Sequence, residues 1–244
     1  MSRRSIVFLA WGKRFIGSVR LCIEESCLPD CPILLITDHE SDVTQLPPGV
    51  TVLRKNLVFP GKLAKLELLA GLPDDLETVL VLDVDTRVIG DVSLGFEKAE
   101  RHGVAIAAAP HYSLEDFRSF RSVMVREGVP PKGQMIYNSG VMFFAANRPE
   151  VRAIFNLARD LAVKDDIAPW GDQPYVTLAM EIANFNPYTL SPSFNHRAFG
   201  ELISGSIRIW HSYTPVPAEA PDNSPGFLRR YENGGLVKAL KIPL

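Results

Sequence analysis

Cysteine is scarce in this 244-residue chain, and a basic excess and long apolar runs are missing altogether. Its three cysteines, Cys22, Cys27 and Cys31, lie in one short segment. An odd number argues against a disulfide framework, and the spacing matches no zinc signature. They read as reduced thiols, two of them on or near a helix, and the expected location is cytoplasmic. Lys and Arg number 26 against 28 Asp and Glu, a net charge of −2, so there is no electrostatic case for nucleic acid. No run approaches a membrane span in length. Arg3 and Arg4 precede the apolar stretch Ile6–Trp11, which is too short for the core of a secretion signal. Neither an internal repeat nor a low-complexity segment is visible.

What is there is the composition of a globular protein, 46% hydrophobic and 22% charged. Short apolar runs alternate with helical patterns. Ile6–Ala10 reads as a strand and Phe15–Cys27 as an amphipathic helix. Ile33–Ile36 and Val50–Leu53 are the next strands, and Lys62–Ala70 is a helix with Leu63, Leu66 and Leu69 on one face. Strands at Val79–Leu82, Val104–Ala109 and Val141–Ala146 follow. Helices are expected from Pro149 to Val163 and from Gly171 to Ile182, with a late strand at Ile207–Trp210. Strands separated by helices indicate βαβ units, so the expected fold is α/β, with a mostly parallel sheet flanked by helices. Residues 1–213 make up the expected catalytic domain. Residues 214–244 read as a proline-rich extension, with Pro215, Pro217, Pro221 and Pro225 and basic residues at Arg229, Arg230, Lys238 and Lys241.

The stretch Val79–Ile89 carries the most chemistry. A buried-type strand runs into Asp83 and Asp85, spaced i, i+2. If the strand persists through Asp85, both carboxylates project to one side, because strand side chains alternate faces. Open α/β sheets bind ligands just outside the carboxyl ends of their strands. Two hard oxygen ligands there suit Mg²⁺ or Mn²⁺, which can hold a diphosphate. The alternative is a strand ending in a turn, with one aspartate capping the next element.

Three further groups lie downstream. Asn138-Ser139-Gly140 leads into a strand, where glycine permits close approach of a ligand and Asn138 can meet a sugar hydroxyl; a plain turn with a left-handed Asn is the alternative. Trp170-Gly171-Asp172-Gln173 opens a helix, and Asp172 is a natural N-cap, which leaves Gln173 unexplained. Ile207–His211 is a short strand ending in a histidine, structural or else a third ligand, since imidazole with two carboxylates makes a reasonable Mn²⁺ shell.

Taken in order and spacing, these groups resemble glycosyltransferase family 8, retaining enzymes of the GT-A fold that use nucleotide-diphosphate sugars. The resemblance spans about residues 5 to 213. It rests on Ile6–Trp11 and Phe15–Arg20, Lys65, Leu82-Asp83-Val84-Asp85-Thr86, Asn138-Ser139-Gly140, Asp172-Gln173, Phe194-Asn195 and His211. It implies a single GT-A-type domain in which Asp83, Asp85 and His211 bind Mn²⁺ or Mg²⁺. Lys65, Asn138 and Asp172 would hold the donor sugar and its phosphates, Asp83 would also touch the nucleotide, and Gln173 would lie by the anomeric carbon. Ala10 and Trp11 would contact uracil or another base. The implied donor is a UDP-hexose and the acceptor is not specified. One departure is plain: the family follows its metal histidine with glycine and then lysine, whereas here His211 is followed by Ser-Tyr-Thr-Pro. Lys62, Arg208 or a residue of the tail would have to supply that positive charge.

Two other readings share these residues. Leu82–Val88 also resembles the Asp-x-Asp-x-Thr signature of HAD-type phosphatases, with Asp83 as nucleophile and Asp85 as acid/base, although three strands precede it and only Asp165-Asp166 offers a later paired-aspartate loop. A GT-A-like domain that binds nucleotide sugar without turnover is the other.

Overall fold

The computed structural model describes residues 3–56, 58–59, 61–165, 171–221, 227–232 and 235–241. Asp166, Trp170 and Pro225, named above, lie outside the described residues. The chain opens with β1 (Arg4–Leu9), α1 (Gly12–Glu24), β2 (Ile33–Thr37) and β3 (Val50–Arg54). Next come a 3₁₀ turn (Gly61–Leu63), α2 (Ala64–Ala70), β4 (Thr78–Leu82), β5 (Thr86–Val88) and α3 (Ser93–His102). The middle of the chain holds β6 (Val104–Ser113), a 3₁₀ turn (Phe117–Ser119), α4 (Arg121–Arg126), β7 (Met135–Ala145) and α5 (Pro149–Lys164). Then follow α6 (Gln173–Ile182), β8 (Tyr188–Leu190), a 3₁₀ turn (Pro192–Asn195), β9 (Phe199–Ser204), β10 (Ile209–His211), β11 (Phe227–Glu232) and β12 (Gly235–Lys241).

Seven strands form one sheet in the order β3-β2-β1-β4-β7-β6-β8. Pairing is parallel across β3, β2, β1 and β4, antiparallel on both sides of β7, and parallel between β6 and β8. The sheet is therefore mostly parallel, as the alternation of elements requires. All five residues of β4 are buried, and the period of two divides them between layers. Val79 and Val81 join the core under α2, α5 and α6, whereas Leu80 and Leu82 join the core under α1 and α3. That burial on both faces is why the segment reads as a continuous apolar run. Among the described residues no helix is long and apolar enough to cross a membrane.

Three local departures from the sequence reading matter for the site. The strand carrying the aspartates stops at Leu82, and Asp83–Asp85 is a turn, closed by Thr86 N–H and Oγ1–H on the Asp83 carbonyl at 3.2 and 2.7 Å. Asn138–Gly140 lies inside β7 rather than before it, because the ladder with β6 continues through Ala108↔Tyr137. Lys62 sits on a 3₁₀ turn, so the helical wheel that places it within the apolar stripe does not apply; it is exposed.

The segment after His211 joins β9 in a small layer of its own. β12, β11 and β9 form an antiparallel sheet. Ala220 and Tyr231 pack with Ala198, Ile203, Ile207 and Trp210 in a third apolar cluster.

Candidate functional site

β4 ends at the centre of the sheet, and the turn after it presents Asp83 and Asp85 above that edge. The short strand β5 then pairs with β10, placing Thr86 opposite His211. This pairing is what carries a histidine from far along the chain to the two carboxylates. His211 Nε2 lies 3.3 Å from Asp85 Oδ1 and 3.7 Å from Asp83 Oδ2. One ligand atom from each of the three residues falls within 4.8 Å of the others. Donors around a Mg²⁺-sized ion at about 2.1 Å in octahedral geometry sit roughly 3 Å apart, so the set fits a divalent ion after a small contraction.

The histidine is oriented for that role. Asn195 Nδ2 donates to the Asn138 carbonyl at 3.2 Å, which leaves Asn195 Oδ1 as an acceptor 2.7 Å from His211 Nδ1. Neutral His211 then carries its proton on Nδ1 and turns the lone pair of Nε2 to the carboxylates, the arrangement that metal-binding imidazoles adopt. Gly140 makes room for it. A Cβ there would stand 2.2 Å from His211 Cε1 and 2.8 Å from Asp83 Oδ2. The Asp83 N–H is tied to the Gly140 carbonyl at 2.8 Å. Burial pushes the Asp85 carboxyl up, but when His211 carries a proton on Nε2 as well, the hydrogen bond and charge it then offers outweigh burial and hold Asp85 below the ordinary carboxylate range.

Behind the triplet lies a buried cation. Lys65, on α2, is 7% exposed, and its Nζ donates to Asp83 Oδ1 at 2.6 Å and to the Ser139 carbonyl at 3.0 Å. Asp172 Oδ2 is 3.6 Å away. Burial alone would strip the proton from such an amine; the charges of Asp172 and Asp83 reverse this and raise Lys65 above its ordinary value. Lys65 thereby fixes Asp83 by one oxygen and leaves the other, Oδ2, toward His211. Asp172 stands at the N-cap position of α6, yet its side chain makes no capping hydrogen bond. It faces Lys65 instead, and its Oδ2 is buried without a hydrogen-bond partner.

A cleft of about 590 Å³ opens over these groups. The nine residues given site roles by the sequence line it: Ala10, Trp11, Lys65, Asp83, Asp85, Asn138, Asp172, Gln173 and His211. Trp11, Phe15 and Tyr213 form one side, with Arg14 over the rings of Phe15 and Tyr213 at 5.7 and 5.9 Å. Asn138 spends its Oδ1 on the Gly140 N–H at 2.9 Å, leaving its amide nitrogen as the group that can meet a ligand.

Of the cations named as substitutes for the missing lysine, Lys62 lines the cleft. Arg208 reaches the Asp91 carbonyl, and Arg229 is buried against the carbonyls of Glu219 and Gly205. Asp165, which the phosphatase reading would call on, accepts from Tyr175 Oη at 2.7 Å and pairs with Arg126. Sequence reasoning missed Arg197 and Arg118, both in the cleft lining, and the orienting role of Asn195. Asn195 had a signal, the pair Phe194-Asn195, but only the fold shows what it touches.

No protein-family model matches the chain, and no curated protein matches it. Among solved structures, the galactosyltransferase LgtC in complex with donor and acceptor sugar analogues is similar, with a TM-score of 0.60 at 14% identity. The likeness covers 87% of this chain and 88% of that one. The fold is of the GT-A glycosyltransferase type.

Proposed function

We propose that the chain is a metal-dependent, retaining glycosyltransferase that moves a hexose from a nucleotide-diphosphate sugar, a UDP-sugar by the family 8 resemblance, to an acceptor. The observation that carries this reading is the convergence of Asp83, Asp85 and His211 at the rim of a cleft in a GT-A-type fold. A divalent ion held by these three would neutralise charge building on the departing diphosphate. Lys65 is a positioning residue: it sets Asp83 for the ion and Asp172 for the sugar. Asp172 Oδ2, ion-paired with Lys65 at 3.6 Å but accepting no hydrogen bond, is the acceptor for a sugar hydroxyl, since buried polar atoms seldom go without one. Gln173, at the first position of α6, lies beside it and faces the anomeric carbon. The Asn138 amide steadies the same sugar. Trp11 and Phe15 border the base, and Lys62, exposed at the mouth, takes the diphosphate contact that the family's lysine makes.

Thermal shift with UDP and Mn²⁺ tests the reading, backed by turnover assays over a panel of UDP-sugars. UDP should stabilise the wild type only with Mn²⁺ present, and simple phosphate esters should not substitute for it. Asp85→Ala should lose that response while keeping its fold; His211→Ala should weaken it less. Wild-type UDP affinity in both variants would remove the metal site from the reading. UDP binding without turnover on any sugar would leave a binding domain.

A further inference from the structure

Asp83 and Asp85 offset the charge of any divalent ion between them, so a diphosphate departing beside that ion calls for a further cation. The fold brings one from the turn before β9. After the 3₁₀ turn Pro192–Asn195 the backbone runs beside β10 for a single parallel bridge, His196 with Trp210. His196 N–H donates to the Ile209 carbonyl at 3.0 Å, and His211 N–H donates to the His196 carbonyl at 2.9 Å. Extended residues alternate faces. The His196 ring turns toward Trp210 and Tyr231. Its two neighbours therefore leave on the other side, and Asn195 is the one that meets His211 Nδ1. Arg197 shares that side and lines the cleft with His211 and the two aspartates.

The guanidinium of Arg197 has donors to spare. Lys65 already spends its amine on Asp83 and the Ser139 carbonyl. Arg197 instead lies over the Phe199 ring at 4.1 Å, a contact that uses none of its N–H groups. Its Nε is buried and donates no hydrogen bond, and among the described residues the guanidinium forms no ion pair. A buried donor without an acceptor is costly, and a bound anion relieves that cost. The charge of Arg197 reaches Asp85 and helps to hold that carboxyl down, yet the group in contact with Asp85 is His211, at 3.3 Å. Arg197 thus stands near the candidate metal group without touching it, a gap that an oxyanion between the two would bridge.

We propose that Arg197 is a substrate-binding residue that grips the donor's diphosphate beside the metal group and stabilises the charge that develops there as the sugar leaves. The inference rests on the transferase reading above. In the transfer, an acceptor hydroxyl oxygen bonds to the anomeric carbon and the bond from that carbon to the diphosphate oxygen breaks. The nucleoside diphosphate leaves with the electron pair and takes the hydroxyl proton. Arg197 donates to phosphate oxygens through a planar fork whose geometry matches theirs. A donor already in place where charge builds needs no rearrangement at the moment of reaction. Lys62 meets the same group from the mouth of the cleft.

The test reads the metal and the diphosphate separately on the full chain. Electron paramagnetic resonance of free Mn²⁺ gives the affinity for the metal alone, and isothermal titration at saturating Mn²⁺ gives the affinities for UDP and uridine. Two uncharged variants are compared, Arg197→Gln and Arg197→Met, the second keeping the packing of the stem. In both, UDP should bind about tenfold or more weakly, as expected for a lost charge-assisted hydrogen bond. Uridine should bind as it does to the wild type. Mn²⁺ alone should bind as tightly as before or more tightly, because a nearby positive charge has gone. Arg197→Lys should recover part of the UDP loss, through charge without the fork. Wild-type UDP affinity in both uncharged variants overturns the proposal. So does a loss of Mn²⁺ affinity as large as the loss of UDP affinity, which would make Arg197 a support for Asp85 alone. A wild type that binds no UDP with Mn²⁺ fails at the earlier step, the transferase reading, and takes this inference with it.

Discussion

Gly140 is the residue whose side chain matters most by being absent. A methyl group there would overlap the His211 ring and the Asp83 carboxylate, both of which are held by other contacts, so neither can withdraw cheaply. Gly140→Ala should cost about 1–3 kcal/mol of stability, as overpacking does, and abolish the Mn²⁺-dependent gain in melting temperature. Retention of that gain would mean the cluster tolerates a shift of an ångström or more. Gln173 and Asp172 separate in the same way. Gln173→Ala should lower turnover far more than donor affinity, measured as a kcat loss at nearly unchanged KM. Asp172→Ala should damage both and also unfold more readily, through its lost pairing with Lys65 rather than through a lost cap. Full turnover in Gln173→Ala would return the pair to structural duty. The residue types of the candidate metal site were legible in the chain, since Asp83, Asp85 and His211 announce their own chemistry. Arg118 and Arg197 were not, because arginine is common on surfaces and neither its left-handed backbone nor its buried Nε leaves a mark in the sequence.

At the scale of elements, periodicity located strands and helices well and their ends less well. The two aspartates converge with His211 because a turn closes on the Asp83 carbonyl, whereas strand alternation had suggested the same convergence by another route. The 3₁₀ start before α2 was equally hidden: apolar spacing looks alike for a tight turn and a first helical turn, and only the tight turn exposes Lys62. The junction of α5 with α6 makes a prediction of its own. Tyr175 Oη–H donates to Asp165 at 2.7 Å, with Arg126 on the same carboxylate. Burial first, then the hydrogen bond to Asp165 and its negative charge, pushes the Tyr175 phenol well above its ordinary value. A raised folded pKa contributes stability that is fully present below the unfolded value, about 10, and is lost as pH rises beyond it. Tyr175→Phe should therefore cost about 1.5–3 kcal/mol at neutral pH, as for a hydrogen bond to a charged group. The gap between wild type and variant should stay constant up to about pH 10 and close above it. Denaturant melts from pH 7 to 11 read this directly; a gap that widens in alkali would contradict the assigned bond.

Over the whole molecule, the candidate metal cluster depends on parts of the chain that the sequence shows no reason to join. The doubly wound half was readable because each βα unit packs locally on its neighbour. The attachment of the last strands was not, since an antiparallel pairing such as β11 with β9 depends on register that no local pattern encodes. Its consequence reaches the site. His211 ends β10, and the preceding Trp210 is fully buried against Tyr231 and His196, with ring centroids 5.6 and 5.7 Å away. Tyr231, on β11, also meets His196 at 5.7 Å. The small C-terminal layer thus clamps the strand that carries His211, although none of its described residues joins the candidate metal group. Tyr231→Ala should lose about 3–5 kcal/mol, the usual cost of deleting a buried aromatic ring. So should Phe155→Ala, a fully buried ring on α5 that packs on Phe144 at 4.9 Å, in the other core. The two variants should part company when Mn²⁺ and UDP are added. Ligand stabilisation grows as RT ln(1 + [L]/Kd), so a variant with intact site geometry keeps its ligand-induced shift even from a lower starting point. Phe155→Ala should keep the wild-type shift, and Tyr231→Ala should lose most of it because His211 is no longer held against Asp83 and Asp85. Equal shifts in both would show that β10 is positioned by its pairing with β5 alone, and that the C-terminal sheet contributes stability but nothing to the site.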